Sequence, residues 1–249
     1  KDLKIAFEKV DLDDITPKID SLSLEGVLNG DLNFKQDEGV YQPFGKVTVE
    51  KFTVNNAKQG DLSMELQAQD SYKKYDLNLE LVSDSYKNLN ATGFIDLTPK
   101  KAIIDLDVNL DKFKLNAFSP LGKNVLSSIR GVASGDFKVS GVLANPRIDG
   151  ELNLYETGLT FPYLNVDFEF IKNPKIKLEK QSFVFEDINL KDSKFNTTGT
   201  LFGTINHQAF RNWSLDLGIK SDRLLILDTK DDGEVSYYGT GFISGTANI

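Results

Sequence analysis

Apolar and polar residues alternate without a break in Ile104-Asp105-Leu106-Asp107-Val108-Asn109-Leu110. Successive side chains of a β-strand point to opposite faces of the sheet, so this period of two predicts a strand with one apolar and one polar face. The same period recurs in Leu77-Asn78-Leu79-Glu80-Leu81, Val166-Asp167-Phe168-Glu169-Phe170 and Leu215-Asp216-Leu217-Gly218-Ile219. Parallel sheets are covered on both faces and have continuous apolar strands, so the alternation favours an antiparallel, all-β fold.

Turn-forming residues separate the alternating stretches. Dipeptides typical of two-residue hairpin turns occur at Asn29-Gly30, Asp149-Gly150 and Asp232-Gly233. Three prolines are expected in connections between strands, where a missing N–H is tolerated, namely Pro99, Pro146 and Pro174.

One segment departs from the period of two and predicts a short amphipathic helix over residues 119–130. Ser119 has the character of an N-cap, Pro120 suits the first helical position and Gly131 suits the end. Apolar residues recur at every fourth position, at Leu121, Val125 and Ile129. We expect this helix to cover an open end or edge of the sheet, with binding of a partner as the alternative.

The composition excludes several classes of function. The chain has 249 residues, no Cys, one His and a net charge of −8. Thiol nucleophiles, disulfide frameworks and zinc sites built on Cys or several His are therefore excluded. A negative chain repels phosphate backbones, so a nucleic-acid partner is not expected. No cofactor or metal is expected either.

Catalytic motifs give no support for an enzyme. The single histidine, His207, lies in a polar stretch that is interpreted as a solvated turn, without a nucleophile elbow. The acidic residues 228–234 resemble a calcium loop only distantly, because Lys230 stands where an oxygen ligand is needed. Residues 239–245 are rich in glycine but lack the spacing and βαβ context of a dinucleotide site.

The chain also repeats itself at a spacing of roughly 105 residues. The glycines of Leu24-Glu25-Gly26-Val27-Leu28-Asn29-Gly30 fall in step with those of Ile129-Arg130-Gly131-Val132-Ala133-Ser134-Gly135. We therefore predict a first repeat unit over residues 1–127 and a second over 128–249, continuous with the first. A third is expected to begin near residue 238. Repeated sheet units that stack end to end form an elongated body.

An apolar sheet face must be covered by a second sheet, by closure into a barrel, or by a ligand held in a trough. A sandwich is the commonest of these solutions. The apolar phase here is rich in Leu and Phe, as in Phe183-Val184-Phe185, and only one helix is predicted to cover it. These features favour a curled sheet with a hydrophobic trough.

One stretch is similar to a signature of the TamB family, the translocation and assembly module proteins of diderm bacteria. It runs Gly135-Asp136-Phe137-Lys138-Val139-Ser140-Gly141-Val142-Leu143-Ala144-Asn145-Pro146-Arg147-Ile148-Asp149-Gly150-Glu151-Leu152. Further matches follow in order at residues 199–207, 213–217, 224–229 and 238–241. The succession resembles the C-terminal half of the family over residues 90–249, whereas residues 1–90 resemble it only in pattern.

The resemblance implies an elongated, curled antiparallel sheet called a β-taco, with a hydrophobic trough. It also implies the AsmA-like, bridge-type lipid transport superfamily, without catalysis. The expected function is a periplasmic segment of a conduit for phospholipid between the inner and outer membranes. The full-length protein would be anchored in the inner membrane by a segment outside this sequence, and both chain ends are expected to continue.

The expected partners are phospholipid acyl chains and an outer-membrane barrel protein of the Omp85 type. The alternative function is assembly of outer-membrane or surface proteins through sheet edges, together with that barrel. A closed β-sandwich without a ligand is a second alternative.

The residues expected to line the trough are the apolar positions of the alternating strands. They are Leu77, Leu79, Leu81, Ile95, Leu97, Ile104, Leu106, Val108, Leu110, Phe113, Leu115, Phe137, Val139, Leu152, Leu154, Val166, Phe168, Phe170, Phe183, Phe185, Leu201, Trp213, Leu215, Leu217, Ile219, Leu224 and Ile226. A charge at Leu106 or Phe168 is expected to stop lipid transport without unfolding the protein.

Overall fold

Strands dominate the computed structural model, which describes residues 2–16, 23–37, 40–69, 73–122, 126–208, 211–230 and 238–248. The strands are β1 Asp2–Asp11, β2 Leu24–Asp37, β3 Val40–Val54, β4 Ala57–Ala68, β5 Lys74–Ser83, β6 Tyr86–Asp96, β7 Ile103–Lys114, β8 Ser127–Val142, β9 Arg147–Phe161, β10 Val166–Phe170, β11 Lys175–Lys180, β12 Ser182–Asp192, β13 Thr198–Gln208, β14 Arg211–Thr229 and β15 Gly239–Asn248.

These strands form one antiparallel sheet in which order along the chain is also order in space. The exception is β11. Both β10 and β11 pair with β9 on one side and with β12 on the other. Within the described ranges, β1 and β15 each have a single neighbour, so the path of strands does not close on itself. The prediction of a curled antiparallel sheet with little helical structure is confirmed.

Two compact units divide the chain by spatial proximity. Unit 1 contains Lys1–Phe113 and Ser134–Gly150, and unit 2 contains Lys114–Ala133 and Glu151–Ile249. The predicted repeat, with its boundary at residue 127 and a third unit near 238, concerns similarity in sequence and stays a prediction.

The helical segments are short and differ in position from the predicted helix. The α-helix α1 covers Leu12–Ile15, and 3₁₀ helices cover Leu115–Gly122 and Pro162–Leu164. The predicted bounds of 119–130 are wrong because β8 already begins at Ser127, and residues 123–125 lie outside the described residues. The Ser119 hydroxyl donates to the carbonyl of Ile129 at 3.2 Å, which joins the 3₁₀ helix to the strand.

Two of the predicted hairpin dipeptides lie inside strands, so those turn predictions are wrong. Gly30, in the middle of β2, has a φ of 126°, and a Cβ there would lie 2.3 Å from the carbonyl oxygen of Lys46. A Cβ on Gly150 would lie 2.4 Å from the carbonyl oxygen of Asp136. These glycines are needed for close approach of neighbouring backbones rather than for turns. The third dipeptide, at 232–233, lies outside the described residues.

Tight turns instead occur where two successive residues adopt positive φ. Asn55 and Asn56 join β3 to β4, and Asp84 and Ser85 join β5 to β6. Positive φ at both central residues is the geometry of the two-residue hairpin turn that matches the twist of the strands. The three prolines lie between strands as predicted.

Candidate functional site

Three rows of apolar residues cross all seven strands from β1 to β7 in unit 1. A row is a set of residues that face one another directly in successive strands, so their side chains share a face. Row 1 is Val10, Leu28, Val49, Leu62, Leu81, Leu89 and Leu110. Row 2 is Phe7, Gly30, Val47, Met64, Leu79, Ala91 and Val108. Row 3 is Ile5, Leu32, Gly45, Leu66, Leu77, Gly93 and Leu106.

The opposite face of the same strands is polar. The row between rows 2 and 3 consists of Ala6, Asp31, Lys46, Glu65, Asn78, Thr92 and Asp107. Ion pairs on this face join Lys4 to Asp31 at 3.2 Å and Lys138 to Asp105 at 2.7 Å. The hydrogen bond that Lys138 donates to Asp105 raises the pKa of Lys138. Unit 1 is therefore a sheet with one continuous apolar face and one charged face.

Several residues of the apolar face of unit 1 are buried although unit 1 supplies little to cover them. Leu28 is 6% exposed, Leu81 2% and Val108 7%. Among the described residues of unit 1, the short helix α1 is the only helix, and its Leu12 packs beside Leu28. One layer of flat sheet leaves such side chains open to solvent, so their burial fits a curled sheet. The face opens toward β1, where Ile5 is exposed.

The lining residues predicted in unit 1 lie along this face. Rows 1 to 3 contain Leu77, Leu79, Leu81, Leu106, Val108 and Leu110. Ile95 and Ile104 face each other in the next row, beside Tyr75. Leu97 lies beyond the end of β6 and is exposed, whereas Phe113, Phe137 and Val139 are half-buried in β7 and β8.

Sequence reasoning missed the part of the apolar face supplied by β1 to β4. The missed residues are Ile5, Phe7, Val10, Leu28, Leu32, Val47, Val49, Leu62, Met64 and Leu66. The sequence does contain the pattern that predicts these residues, because Leu62-Ser63-Met64-Glu65-Leu66 alternates as regularly as residues 77–81.

The lining residues predicted in unit 2 fall into two groups. A packed core cluster contains Leu154, Val166, Phe168, Phe185, Leu201, Ile219 and Leu224. Leu115, Phe170, Phe183, Leu217 and Ile226 pack against this cluster, and Leu152 is half-buried in β9. Trp213 and Leu215 form the second group, because they are exposed at the start of β14. Phe168 is 3% exposed, so Phe168→Glu would bury an unpaired charge, and we now expect it to destabilise the protein.

A buried carboxylate holds the polar loop between β12 and β13 in unit 2. Asp192 is fully buried and accepts hydrogen bonds from the N–H groups of Lys194, Phe195 and Thr197 and from the Thr197 hydroxyl. Burial alone would raise the pKa of Asp192, but these donors lower it below its ordinary value. The Thr197 hydroxyl oxygen in turn accepts from the N–H of Leu225 at 2.9 Å. The loop is thereby fixed to β14.

His207 lies in a buried aromatic cluster, so its interpretation as a solvated turn residue was wrong. It is 5% exposed within β13, and its ring lies 5.7 Å from that of Phe183 and 5.1 Å from that of Trp213. The polar neighbours in sequence hid this, because His207 shares the inward phase of β13 with Leu201 and Ile205. Burial lowers the pKa of His207.

This burial predicts a loss of stability in mildly acidic solution. The unfolded chain takes up a proton near the ordinary histidine pKa of about 6.5, whereas the folded protein resists protonation to a lower pH. The stability that His207 contributes is present above pH 6.5 and is lost as the pH falls toward the folded pKa. We expect the urea concentration at the unfolding midpoint to decrease as the pH is lowered from about 7.5 to about 5.5, a range that spans the ordinary histidine pKa. His207→Gln should abolish that slope, because the chain has one histidine. An equal slope in both proteins would contradict the prediction.

A salt bridge joins β8 to β10 in unit 2. The Arg130 guanidinium donates two hydrogen bonds of 2.8 Å to the two carboxylate oxygens of Asp167. Thr160 and Ser193 each donate to the same carboxylate at 2.7 Å. Burial of Asp167 opposes ionisation, but these hydrogen bonds, with Arg130 first, lower its pKa. A Cβ on Gly158 would lie 2.4 Å from Cζ of Arg130, so glycine leaves room for the guanidinium.

Arg130→Lys is expected to destabilise unit 2 by about 1 kcal/mol, because lysine keeps the charge but cannot form the two parallel hydrogen bonds. The expected loss of stability is small because both side chains are about one-third exposed (38% and 30%) and solvent screens the pair. Urea denaturation checks it. Arg147→Lys is the matched control, since Arg147 makes a single 3.7 Å contact with Asp149. Equal effects of the two substitutions would contradict the assignment.

Other chemistry finds no support in the described part of the chain. No group of three or more His, Cys, Asp or Glu side chains there is placed to hold a metal ion. Asp228, from the calcium-like stretch, accepts hydrogen bonds from Lys194 and Thr240, and residues 231–234 lie outside the described ranges. No helix among the described residues is long and apolar enough to span a lipid bilayer.

The open sheet, with its continuous apolar face in unit 1 and its charged opposite face, defines a protein of the β-taco class. The sequence model described as TamB, N-terminal domain matches residues 1–154, which is more than half of the chain. The chain therefore belongs to the TamB family. The family is confirmed, although the matched model is that of its N-terminal domain and not of the C-terminal half to which the sequence resemblance pointed.

Comparison with curated proteins and with solved structures gives no match. Membership of the TamB family makes the chain a bacterial envelope protein of a transport and assembly family, whose members work in a module with other envelope proteins.

Proposed function

We propose that the apolar face of unit 1 holds the acyl chains of phospholipids, and that the chain is a segment of a periplasmic conduit between the inner and outer membranes. The observation that carries the proposal is the continuity of rows 1 to 3 across seven strands without one polar side chain. The full-length protein would be anchored in the inner membrane. Its partner would be an outer-membrane barrel of the Omp85 type.

The energetics of lipid transfer supports a continuous apolar face. Exposing a 16-carbon acyl chain to water costs about 12 kcal/mol at about 0.8 kcal/mol per methylene. An apolar face that accompanies the chain removes most of this cost, whereas a single inward charge restores several kcal/mol at one point. The headgroup would stay hydrated at the rim of the face.

The lining of this conduit would be rows 1 to 3 together with Ile95 and Ile104. In unit 2 the side chains of the packed core already fill their own space, as Val166 and Leu224 illustrate with 1% and 0% exposure. In unit 2, lipid would therefore contact Trp213 and Leu215, which are exposed beside the apolar residues Phe183 and Ile205.

Native mass spectrometry of the purified protein, with lipid extraction of the same sample, tests the proposal. Phospholipid that co-purifies in a defined stoichiometry is the expected result. A lipid-free protein that also ignores added phospholipid vesicles would overturn it.

Assembly of outer-membrane or surface proteins is a second candidate, which the position of β1 at one edge of the described sheet favours. In the part of the chain that the structure describes, β1 pairs only with β2, and residues 2–6 are exposed. An incoming strand could pair with this edge. Substitution of Ala6 by Pro, which removes one N–H from β1 outside rows 1 to 3, would then impair assembly without changing lipid content.

A further inference from the structure

β-Bulges lie next to row 1 in three strands of unit 1, between rows 1 and 2 in β1 and on the other side of row 1 in β3 and β7. Three strands share a pattern of apolar residue, carboxylate, lysine and apolar residue, in Phe7-Glu8-Lys9-Val10, Val49-Glu50-Lys51-Phe52 and Leu110-Asp111-Lys112-Phe113. In each, the lysine has left-handed backbone, with φ of 53°, 54° and 51°. The register shows the extra residue in two of them, because Phe7 faces Gly30 whereas Val10 faces Leu28, and Val49 faces Leu62 whereas Phe52 faces Gly60.

Each bulge is held by a side chain of the neighbouring strand. The N–H of Lys9 donates to Oδ1 of Asn29 at 2.9 Å, and that of Lys51 donates to Oδ1 of Asp61 at 2.8 Å. The N–H of Lys112 donates to the hydroxyl of Ser134 at 2.9 Å. A bulge frees an N–H from the ladder, and here an acceptor is supplied every time.

The bulges keep the apolar phase intact while they bend the strands. Left-handed backbone costs free energy in a residue with a Cβ. Three lysines in that conformation therefore need a stabilising effect elsewhere that offsets this cost. The side chains supply little of that effect, since residues 8–9, 50–51 and 111–112 are all exposed and make only weak contacts, such as that of Lys112 with the Tyr86 ring at 5.7 Å. What a bulge does supply is a local bend and a stronger twist.

Two residues near the tip of the β3–β4 hairpin, beyond the bulge at Lys51, are buried although hairpin tips are usually exposed. Ala57 and Gln59, next to the turn between β3 and β4, are 7% and 2% exposed. Tips of hairpins are normally open to solvent, so this burial fits a tip that bends toward the apolar face.

We propose that the bulges at Lys9, Lys51 and Lys112 form a crease along which the strands of unit 1 bend, and that this crease sets the width of the apolar face. In relation to lipid, the inference rests on the proposed function, because the width would then limit how many acyl chains fit. The bend itself does not depend on a ligand.

Deletion of Lys51 tests the crease. Deleting a residue inside a strand normally moves every following side chain to the other face. Here the deletion leaves Val49 and Phe52 on the apolar face with Glu50 between them, so the protein should still fold. The bend at Lys51 is then removed, while the extra residue of β4 at Gln59 stays, and the tip at Ala57 is released toward solvent.

The readout is thiol labelling of single cysteines, since the chain has none of its own. Ala57→Cys reports the tip, and Ala91→Cys, at an equally buried alanine of row 2, is the matched control. With Lys51 deleted, we expect labelling at position 57 to accelerate by about tenfold or more while position 91 stays protected. Lys51→Gly keeps the bulge and should leave both positions protected.

Protection of position 57 in the folded deletion variant would overturn the crease, and so would equal acceleration at both positions. If the deletion does not fold, Asp61→Ala removes only the acceptor of the Lys51 N–H, and the same selective acceleration is expected at smaller size. Lipid content is measured in parallel. Absence of lipid from every variant would contradict the proposed function and leave the labelling result standing, whereas altered labelling with unchanged lipid stoichiometry would contradict the link to width.

Discussion

Leu79→Glu is expected to lower phospholipid retention by about tenfold or more while the protein stays folded. Leu79 lies in the middle of row 2, between Met64 and Ala91, and is only half-buried. A carboxylate there remains hydrated enough for the fold to tolerate it, but it interrupts the apolar face that an acyl chain would follow. Phospholipid extracted per mole of purified protein is the quantity to measure.

Asn78→Glu is the matched control for this substitution. It adds the same charge one residue away, on the exposed polar face between Glu65 and Thr92. Retention should match that of the unmodified protein. If both variants lose lipid equally, net charge and not the apolar face governs retention, and rows 1 to 3 are not the binding surface.

Leu224→Ala is expected to destabilise unit 2 by about 2–5 kcal/mol, the usual range for truncating a fully buried leucine. Leu224 has no exposed surface and packs over Gly199, where an added Cβ would lie 2.9 Å from its Cδ2. The cavity cannot collapse easily, because the polar loop held by Asp192 fixes β14 through the N–H of Leu225. The free energy of unfolding in urea measures the effect.

Leu215→Ala serves as the comparison, since Leu215 is on the same strand but 42% exposed. Its truncation should cost less than about 1 kcal/mol because little area leaves the core. A Leu224→Ala variant as stable as Leu215→Ala would show that the cluster around Leu224 is not a packed core.

The sequence predicted the faces of the strands better than their interruptions. Strict alternation at Leu77–Leu81 and Ile104–Leu110 placed six side chains in rows 1 to 3, because a period of two leaves no freedom once one face is apolar. Asn29-Gly30 was misassigned because local turn preference says nothing about a neighbouring backbone that requires a glycine. The predicted helix failed for a related reason, since pairing extends β8 into residues with helical spacing.

The bulges were missed although they leave a trace in the sequence. Two charged residues between apolar ones, as in Glu8-Lys9 and Glu50-Lys51, break a period of two and resemble the end of a strand. Strand continuation depends on acceptors from distant residues, such as Asp61 for the N–H of Lys51. His207 shows the same limit, because its burial follows from Phe183 and Trp213 in neighbouring strands.

Site-specific photocrosslinking in living cells tests the central claim most directly. A photoreactive phenylalanine analogue at Leu79 of the full-length protein should form adducts with phospholipid, and the same group at Asn78 should form none. Adducts with phospholipid at both positions, or adducts with protein alone at Leu79, would contradict an apolar face that carries lipid.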